Sequence, residues 1–179
     1  TLTGYNSATG VVSYTYTLSA TIDNDSKVGA TGDYFDDSVT ITVNGIGGTT
    51  DSDTLVIRIT DDTPTADSDG PFTATEDGTG AANTATTSTV SGNVLSNDLA
   101  GADSPASFSA WGVSADDVAA RAVLNNYGTL TLNNDGSWSF TLNNSLAAVQ
   151  ALTASDSIIK TINYTMVDAD GDISSSTLT

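Results

Sequence analysis

The sequence predicts an all-β fold in which antiparallel strands form two tandem sandwich-like modules. Three observations support this: β-forming residues recur at every second position, turns rich in glycine and aspartate separate them, and the two ends of the chain share one pattern. Of the 179 residues, 38% are hydrophobic, which suffices for a sandwich core. Glu76 is the only glutamate, so the acidic residues are of the type that favours turns over helices.

The first module, residues 1–63, is predicted to contain a hairpin followed by a polar loop and a second strand pair. In the hairpin, over residues 1–18, apolar side chains alternate with Ser and Thr after a turn that ends at Gly10. A glycine-rich turn at residues 45–48 joins the second pair. The predicted strands are residues 11–22, 39–43 and 55–59, and the loop is residues 23–36.

The second module, residues 64–179, contains the strongest local signal in the chain. In Gly128–Asn143, leucines alternate with threonines, Asp135-Gly136 forms a turn, and Trp138, Phe140 and Leu142 alternate on the return strand. Further strands are predicted at residues 71–75, at 90–95 with a bulge at Gly92, at 108–112, at 158–166 and from 173 to 179. Helical turns are predicted at 114–120, capped by Ser114 with Asp117, and at 145–152, and loops at 76–78 and 79–88.

The two modules share an order of features. Thr-Leu-Thr opens residues 1–62 and recurs at residue 129, and in both places a hairpin with an aromatic strand and a later acidic turn follow. Tandem β-modules are the physical interpretation of such a repeat. The chain is therefore expected to begin inside one module of a longer protein and to cover most of the next.

Composition excludes several classes of function. The net charge is −18, from 22 acidic residues against four basic ones, so nucleic acid and membrane insertion are not expected. There is no cysteine and no histidine, which removes disulfides, thiolate chemistry and the usual zinc ligands. No apolar run approaches the ~20 residues that a membrane-spanning helix needs.

The connector between the modules, residues 61–70, holds four aspartates and a proline that stiffens the chain. Nothing basic lies within it, so the carboxylates repel one another. A hard divalent cation would relieve this repulsion, because Ca²⁺ takes about six to eight oxygen ligands. A solvated acidic linker explains the stretch equally well on its own.

Several longer motifs resemble a known family. The segments GNVLSNDLAGAD, GTLTLNNDGSWSFTLN and YTMVDADGD resemble VCBS-type, cadherin-like repeats of large bacterial adhesins of the repeats-in-toxin class. The first module, with GVVSYTYTLS and DDTPTA, resembles related repeats of type I secretion targets. The resemblance implies an immunoglobulin- or cadherin-like antiparallel β-sandwich, an extracellular location at the bacterial cell surface, and calcium at the module joints.

In an immunoglobulin-like sandwich, the incoming connector, the B–C loop and the F–G loop share one pole. In this sequence the B–C loop holds Asn97, Asp98 and Asp103, and the F–G loop, or F–G turn, is residues 168–172. Acidic groups distant in sequence would therefore meet there and form an oxygen cage for Ca²⁺. The segment 168–172 alone is equally a polar hairpin turn, since its spacing departs from that of an EF-hand loop. The predicted metal ligands are Asp61, Asp62, Asp67, Asp69, Asn97, Asp98, Asp103, Asp168, Asp170 and Asp172.

The function expected from the sequence is that of a structural extender repeat in a secreted adhesin, serving adhesion or biofilm formation. Calcium would stiffen the junctions, and the partners would be neighbouring repeats, with other domains contacting a host or abiotic surface. A ligand-binding module at the adhesin tip, for sugar or protein, is the alternative. An enzyme is not expected, because the chain has neither a histidine nor a nucleophile motif.

Overall fold

Antiparallel strands dominate the computed structural model, which describes residues 1–76 and 88–179. Within these ranges there are ten strands and two short α-helices, so the predicted all-β fold is confirmed. The chain divides into Thr1–Asp61, here unit 1, and Asp62–Thr179, here unit 2. None of the described helices has the length and apolar character needed to cross a bilayer.

Unit 1 consists of two separate two-stranded sheets. Its strands are β1 (Leu2–Asn6), β2 (Val11–Tyr14), β3 (Tyr34–Asn44) and β4 (Thr50–Thr60). β1 pairs with β2, and β3 pairs with β4, both antiparallel. The predicted strand over residues 11–22 is wrong beyond Tyr14. Thr15 still donates to the Thr1 carbonyl at 2.9 Å, but β1 supplies no partner for the residues that follow.

Unit 2 contains two three-stranded antiparallel sheets. Their orders are β5–β8–β7 and β6–β9–β10. The strands are β5 (Thr89–Asn93), β6 (Ser107–Trp111), β7 (Gly128–Leu132), β8 (Ser137–Leu142), β9 (Ile162–Val167) and β10 (Ile173–Leu178). The helices are a 3₁₀ turn (Val94–Ser96), α1 (Ala115–Leu124) and α2 (Ala147–Gln150).

The core of unit 2 is built from both sheets. Trp138 of β8 packs in one cluster with Tyr164 of β9, Leu178 of β10 and Val94, which follows β5. Along β9 the side chains of Ile162, Tyr164 and Met166 are buried, as period-two alternation requires. This alternation determines which side chains of β9 face inward.

Three strand predictions in unit 2 need correction. Residues 71–75 form no strand, and the connector before them makes only isolated bridges, Thr65 with Leu99 and Asp69 with Leu178. No bulge occurs at Gly92, since β5 and β8 pair without a register shift. The strand predicted from Ile158 begins only at Ile162.

The helix predictions were partly correct. The Ser114–Asp117 capping box is present, although α1 continues to Leu124 rather than ending as a single turn. The N-cap of α2 is Leu146, whose apolar side chain cannot accept a capping hydrogen bond, and the Ser145 hydroxyl donates to Asn143 Oδ1 at 2.7 Å. The loop predictions at 76–78 and 79–88 fall almost wholly outside the described residues.

Candidate metal centre

The turn between β9 and β10, residues 168–172, is closed by its own first carboxylate. Asp168 Oδ1 accepts hydrogen bonds from the backbone N–H groups of Gly171 at 3.1 Å and Asp172 at 2.9 Å. The Asp168 N–H in turn donates to the Asp172 carbonyl at 3.0 Å. The Asp168 carboxylate and one backbone hydrogen bond therefore close the backbone of the turn.

The carboxylates of Asp168, Asp170 and Asp172 converge in this turn. Each offers an oxygen, and these oxygens all lie within 4.8 Å of one another. Two oxygens that bind the same Ca²⁺ can be at most about 5 Å apart, since each lies 2.3–2.6 Å from the ion. The spacing therefore matches one shared calcium ion.

The burial of Asp168 is the second observation that points to a cation at this turn. Its side chain is only 6% exposed, and its Oδ2 atom is buried without a hydrogen-bond partner among the described residues. Burying a carboxylate oxygen away from water without a hydrogen-bond partner is energetically unfavourable. A bound cation would remove this cost, whereas a solvated acidic turn would leave the oxygen in water.

The loop that follows the 3₁₀ turn is hydrogen-bonded through its backbone to the turn between β9 and β10. The Ala169 N–H donates to the carbonyl of Asp103 at 2.8 Å, and the Asp103 side chain is buried. The carboxylate of Asp62 accepts from the Ala102 N–H. Residues 62, 103 and 169 thus join the start of unit 2, the B–C loop and the F–G turn at one pole of unit 2.

Gly101 permits the approach of Asp62. Its φ is +72°, and a Cβ at this position would lie 1.9 Å from Asp62 Oδ2. Any other residue would be strained in its backbone and would also collide with the carboxylate. The positive φ favours glycine here, and the missing side chain leaves room for the Asp62 carboxylate.

Asn97, Asp98 and Asp67 form a hydrogen-bonded cluster with Tyr164. The Tyr164 hydroxyl lies 2.8 Å from the Asp67 carbonyl and 2.9 Å from Asp98 Oδ1, which also accepts from the Asp67 N–H at 2.8 Å. Asn97 Nδ2 donates to the Ser68 carbonyl at 3.2 Å. These groups hold the connector against β9, and a role for them as metal ligands stays a prediction.

Asp69 lies beside this cluster and is 7% exposed. Its backbone pairs with the edge of β10, donating to Thr177 at 2.8 Å and accepting from Thr179 at 3.0 Å. Burial, and then the charge of Asp98, raises the pKa of Asp69 to about 6, while a hydrogen bond with Tyr164 acts to lower it. Burial also raises the pKa of Asp98.

Asp61 is the last residue of unit 1, and its N–H donates to the Asp33 carbonyl at 3.1 Å. Within unit 2, the structure divides the predicted ligands into two groups. The first comprises Asp62, Asp103, Asp168, Asp170 and Asp172, and the second comprises Asp67, Asp69, Asn97 and Asp98. Only the first contains three carboxylates at the spacing of one ion.

Sequence reasoning missed Tyr164 as part of this pole. With Ile162 and Met166 it was taken only to mark a strand, in which the structure buries Tyr164 fully. The available signal was chemical, since a buried tyrosine hydroxyl needs a hydrogen-bond partner and the nearby loops are rich in acceptors. Its pKa is raised by burial and by Asp98, so the hydroxyl remains a donor.

A cavity of about 720 Å³ lies elsewhere in unit 2. Its lining includes Phe72, Tyr127, Trp138 and Phe140, and it contains none of the predicted metal ligands. The aromatic side chains therefore line a space separate from the F–G turn. No protein-family model matches this sequence, and no curated protein is significantly similar to it.

Proposed function

We propose that this chain is a structural module of a secreted bacterial surface adhesin and that Ca²⁺ stabilises the acidic pole of unit 2. The observation that carries the calcium proposal is the F–G turn. There, three carboxylates lie within 4.8 Å of one another, and one of them is buried with an oxygen that lacks a hydrogen-bond partner among the described residues.

The donor set favours Ca²⁺ over other common metals. All candidate ligands are oxygens, and the sequence contains neither histidine nor cysteine, which Zn²⁺ prefers. Mg²⁺ demands near-ideal octahedral geometry and gives up its water reluctantly, whereas Ca²⁺ accepts irregular sites. The net charge of −18 raises the local concentration of any divalent cation.

Ion binding would restrict the conformation of the turn between β9 and β10 and would not serve a catalytic reaction. The three carboxylates repel one another without a counter-charge, and neutralising them would hold the turn between β9 and β10 in one conformation. Because Ala169 is hydrogen-bonded to Asp103, a fixed turn would also restrict the conformation of the B–C loop. Because Asp62 bonds to the same loop, the start of unit 2 would be fixed at the same time.

The adhesin assignment is supported by the motif resemblance, by the tandem β-hairpins and by the acidic connector between the two units. A tip module that binds sugar or protein through calcium would need an aromatic pocket beside the metal ligands. The aromatic cavity of unit 2 is not lined by any of those ligands, which favours the structural role.

The binding proposal is tested by calcium titration of the chelator-treated chain in a calorimeter. We expect a dissociation constant in the range of about 10⁻⁴ to 10⁻³ M, as in extracellular modules. The triple variant Asp168→Asn/Asp170→Asn/Asp172→Asn should lose this binding. A control of equal charge, Asp51→Asn/Asp53→Asn/Asp116→Asn, removes exposed aspartates and should retain it. Equal binding by both variants would reject the site.

A further inference from the structure

Three asparagines of this chain begin the tripeptide Asn-x-Ser/Thr, in which the middle residue is not proline. They are Asn24, Asn143 and Asn163. This tripeptide is the acceptor of N-linked sugars, which are joined to the side-chain nitrogen Nδ2 of the asparagine. A transferase must reach that nitrogen on the folded chain, so the surroundings of each asparagine determine whether it can serve as an acceptor.

Asn24 is inaccessible in the folded chain. It is only 3% exposed, and both polar atoms of its side-chain amide are buried. The hydroxyl of its tripeptide, on Ser26, donates to the carboxylate of Asp23 rather than to Asn24. An enzyme could reach Asn24 Nδ2 only after this loop had opened locally.

Asn163 lies in β9, the middle strand of its sheet, and its whole tripeptide is engaged there. Its Nδ2 donates to Asp117 Oδ1 at 2.9 Å. The next residue, Tyr164, is fully buried, and the Thr165 hydroxyl lies 2.9 Å from the hydroxyl of Ser175. The nitrogen of Asn163 is therefore already used within the fold.

Asn143 differs from both, because it is exposed in the turn that directly follows β8. Its Oδ1 accepts hydrogen bonds from the Ser145 N–H at 3.0 Å and from the Ser145 hydroxyl at 2.7 Å. Its Nδ2 makes no hydrogen bond within the described part of the chain. Of the three asparagines, Asn143 is thus the one that is bonded to the hydroxyl of its own tripeptide and presents its nitrogen to solvent.

The hydrogen bonds from Ser145 favour reaction at the Asn143 nitrogen. Donation to Oδ1 draws electron density out of the amide and makes its N–H groups more acidic, so that a proton leaves more readily as the nitrogen bonds to carbon. The turn is held in place by its own contacts: the Leu146 N–H donates to the Asn143 carbonyl at 3.1 Å, and Gln150 Nε2 donates to the Asn144 carbonyl at 2.7 Å. The arrangement therefore exists before any enzyme binds.

The charge around this turn is low for so acidic a chain. Residues 136–155 contain no charged side chain, although the whole sequence has 22 acidic residues. One carboxylate, that of Glu76, is bonded to this segment, through Gln150 Nε2 at 3.2 Å. Activated sugars carry a diphosphate group, which a surface dense in aspartate repels. The uncharged segment around Asn143 allows such a donor to approach.

We propose that Asn143 is the acceptor of an N-linked hexose, which a glycosyltransferase transfers from a nucleotide-activated sugar. Asn143 Nδ2 forms a bond to C1 of the sugar while the bond from C1 to the diphosphate oxygen breaks. The nucleoside diphosphate leaves with the bonding electrons, and one amide proton passes to a base of the transferase. This inference is independent of the calcium proposal, because none of the candidate calcium ligands takes part.

The test incubates the folded full chain with UDP-glucose and a soluble asparagine N-glucosyltransferase, and peptide mass spectrometry then locates the added hexose. We expect Asn143 to be modified about ten-fold more than Asn24 or Asn163, because modification of those two requires local opening of the fold. Ser145→Ala should abolish the modification and Ser145→Thr should retain it. The control Ser155→Ala, which removes an exposed serine outside the tripeptide, should leave the modification unchanged.

A synthetic peptide of residues 138–148 separates the effect of the sequence from that of the fold. Modification of the peptide but not of the chain would show that the folded turn is closed to the enzyme, and modification of neither would show that the tripeptide is not an acceptor. Equal modification of Asn24 or Asn163 on the folded chain, or full modification of Ser145→Ala, would show that the contacts of Asn143 do not select it. Each of these results would overturn the proposal.

Discussion

At the scale of single residues, the buried aspartates of unit 2 differ in how their charge is satisfied. Asp117 is 2% exposed, yet both of its oxygens accept hydrogen bonds. Asn163 donates to Oδ1 through its N–H at 2.8 Å and through its side chain at 2.9 Å, and the Ser114 N–H donates to Oδ2 at 3.0 Å. Asp168, by contrast, retains a buried oxygen with no such partner in the described part of the chain.

Replacement of Asp117 tests its structural role. Asp117→Ala leaves the donors of Ser114 and Asn163 without a partner, so we expect a loss of about 3 kcal/mol in the free energy of unfolding. Asp116→Ala removes an exposed carboxylate one residue away and should cost less than about 0.5 kcal/mol. Urea unfolding followed by tryptophan fluorescence reports on unit 2, which contains both tryptophans. Equal losses in the two variants would contradict the assignment.

The pH dependence of Asp117 follows from its hydrogen bonds. Those from Asn163 and Ser114 lower the pKa of Asp117 to about 2. A carboxyl whose pKa is lower in the folded state contributes stability above its unfolded pKa of about 3.9, and this contribution is lost as the pH falls through about 2. The deficit of Asp117→Ala should therefore be constant from pH 5 to 7 and should shrink below about pH 3.

Asp69 should have the opposite pH dependence. Because its pKa is raised to about 6, its contribution is fully present below about pH 4 and is lost as the pH rises through 6. In chelator, Asp69→Asn should stabilise unit 2 relative to the parent at pH 7.5 by on the order of 1–2 kcal/mol and should give no gain at pH 4. Asp67→Asn, at an exposed neighbour, is the control. A gain independent of pH would disprove the assignment.

At the scale of elements, local signals predicted those structures whose partners lie close in sequence. The hairpin over Gly128–Asn143 was predicted correctly, because its two strands flank one turn and alternate in phase. The α1 cap was also correct, since Ser114 and Asp117 are three residues apart. Residues 15–22 alternate just as clearly, but a strand also needs an opposite strand, and sequence alone does not reveal whether one is present.

In the candidate site, too, the contacts between residues close in sequence were predictable and those between distant residues were not. Asp168, Asp170 and Asp172 belong to one turn, so their spacing alone brought them together. The contacts of Asp98 with Tyr164 and Asp67 join residues 66 and 31 positions apart and depend on how β9 packs against the connector. The sandwich topology predicted that the connector and the two loops meet at one pole, but it did not predict the hydrogen bonds of Asn97 and Asp98.

The contact between the connector and the B–C loop gives an element-scale prediction. Gly101→Ala should cost about 2–4 kcal/mol, because it combines a backbone penalty of about 1–2 kcal/mol with a collision against Asp62. In an Asp62→Ala background, the same substitution should cost only the backbone penalty. The difference is measured as a double-mutant cycle from urea unfolding. Additive losses would show that the approach of Asp62 does not constrain residue 101.

At the scale of the whole molecule, the net charge determines how strongly electrostatic repulsion opposes the folded state. With 22 acidic and four basic residues, the chain repels itself at neutral pH, and monovalent salt relieves this only by screening. A cation captured by the F–G turn would act differently, because it neutralises particular carboxylates at low concentration. The effect of calcium on stability should therefore be distinguishable from that of monovalent salt when both are measured at constant ionic strength.

We expect 10 mM Ca²⁺ to stabilise unit 2 by up to about 2.7 kcal/mol at constant ionic strength, the value for an ion present at 100 times its dissociation constant. Chelation should reverse this gain and should widen the distribution of intramolecular distances in small-angle X-ray scattering, since a disordered pole would leave the connector less constrained. The variant Asp168→Asn/Asp170→Asn/Asp172→Asn should respond in neither measurement, whereas Asp51→Asn/Asp53→Asn/Asp116→Asn should respond as the parent does. If the parent chain were indifferent to chelator in melting and in scattering, the acidic pole would be a solvated surface and the stiffening role would be excluded.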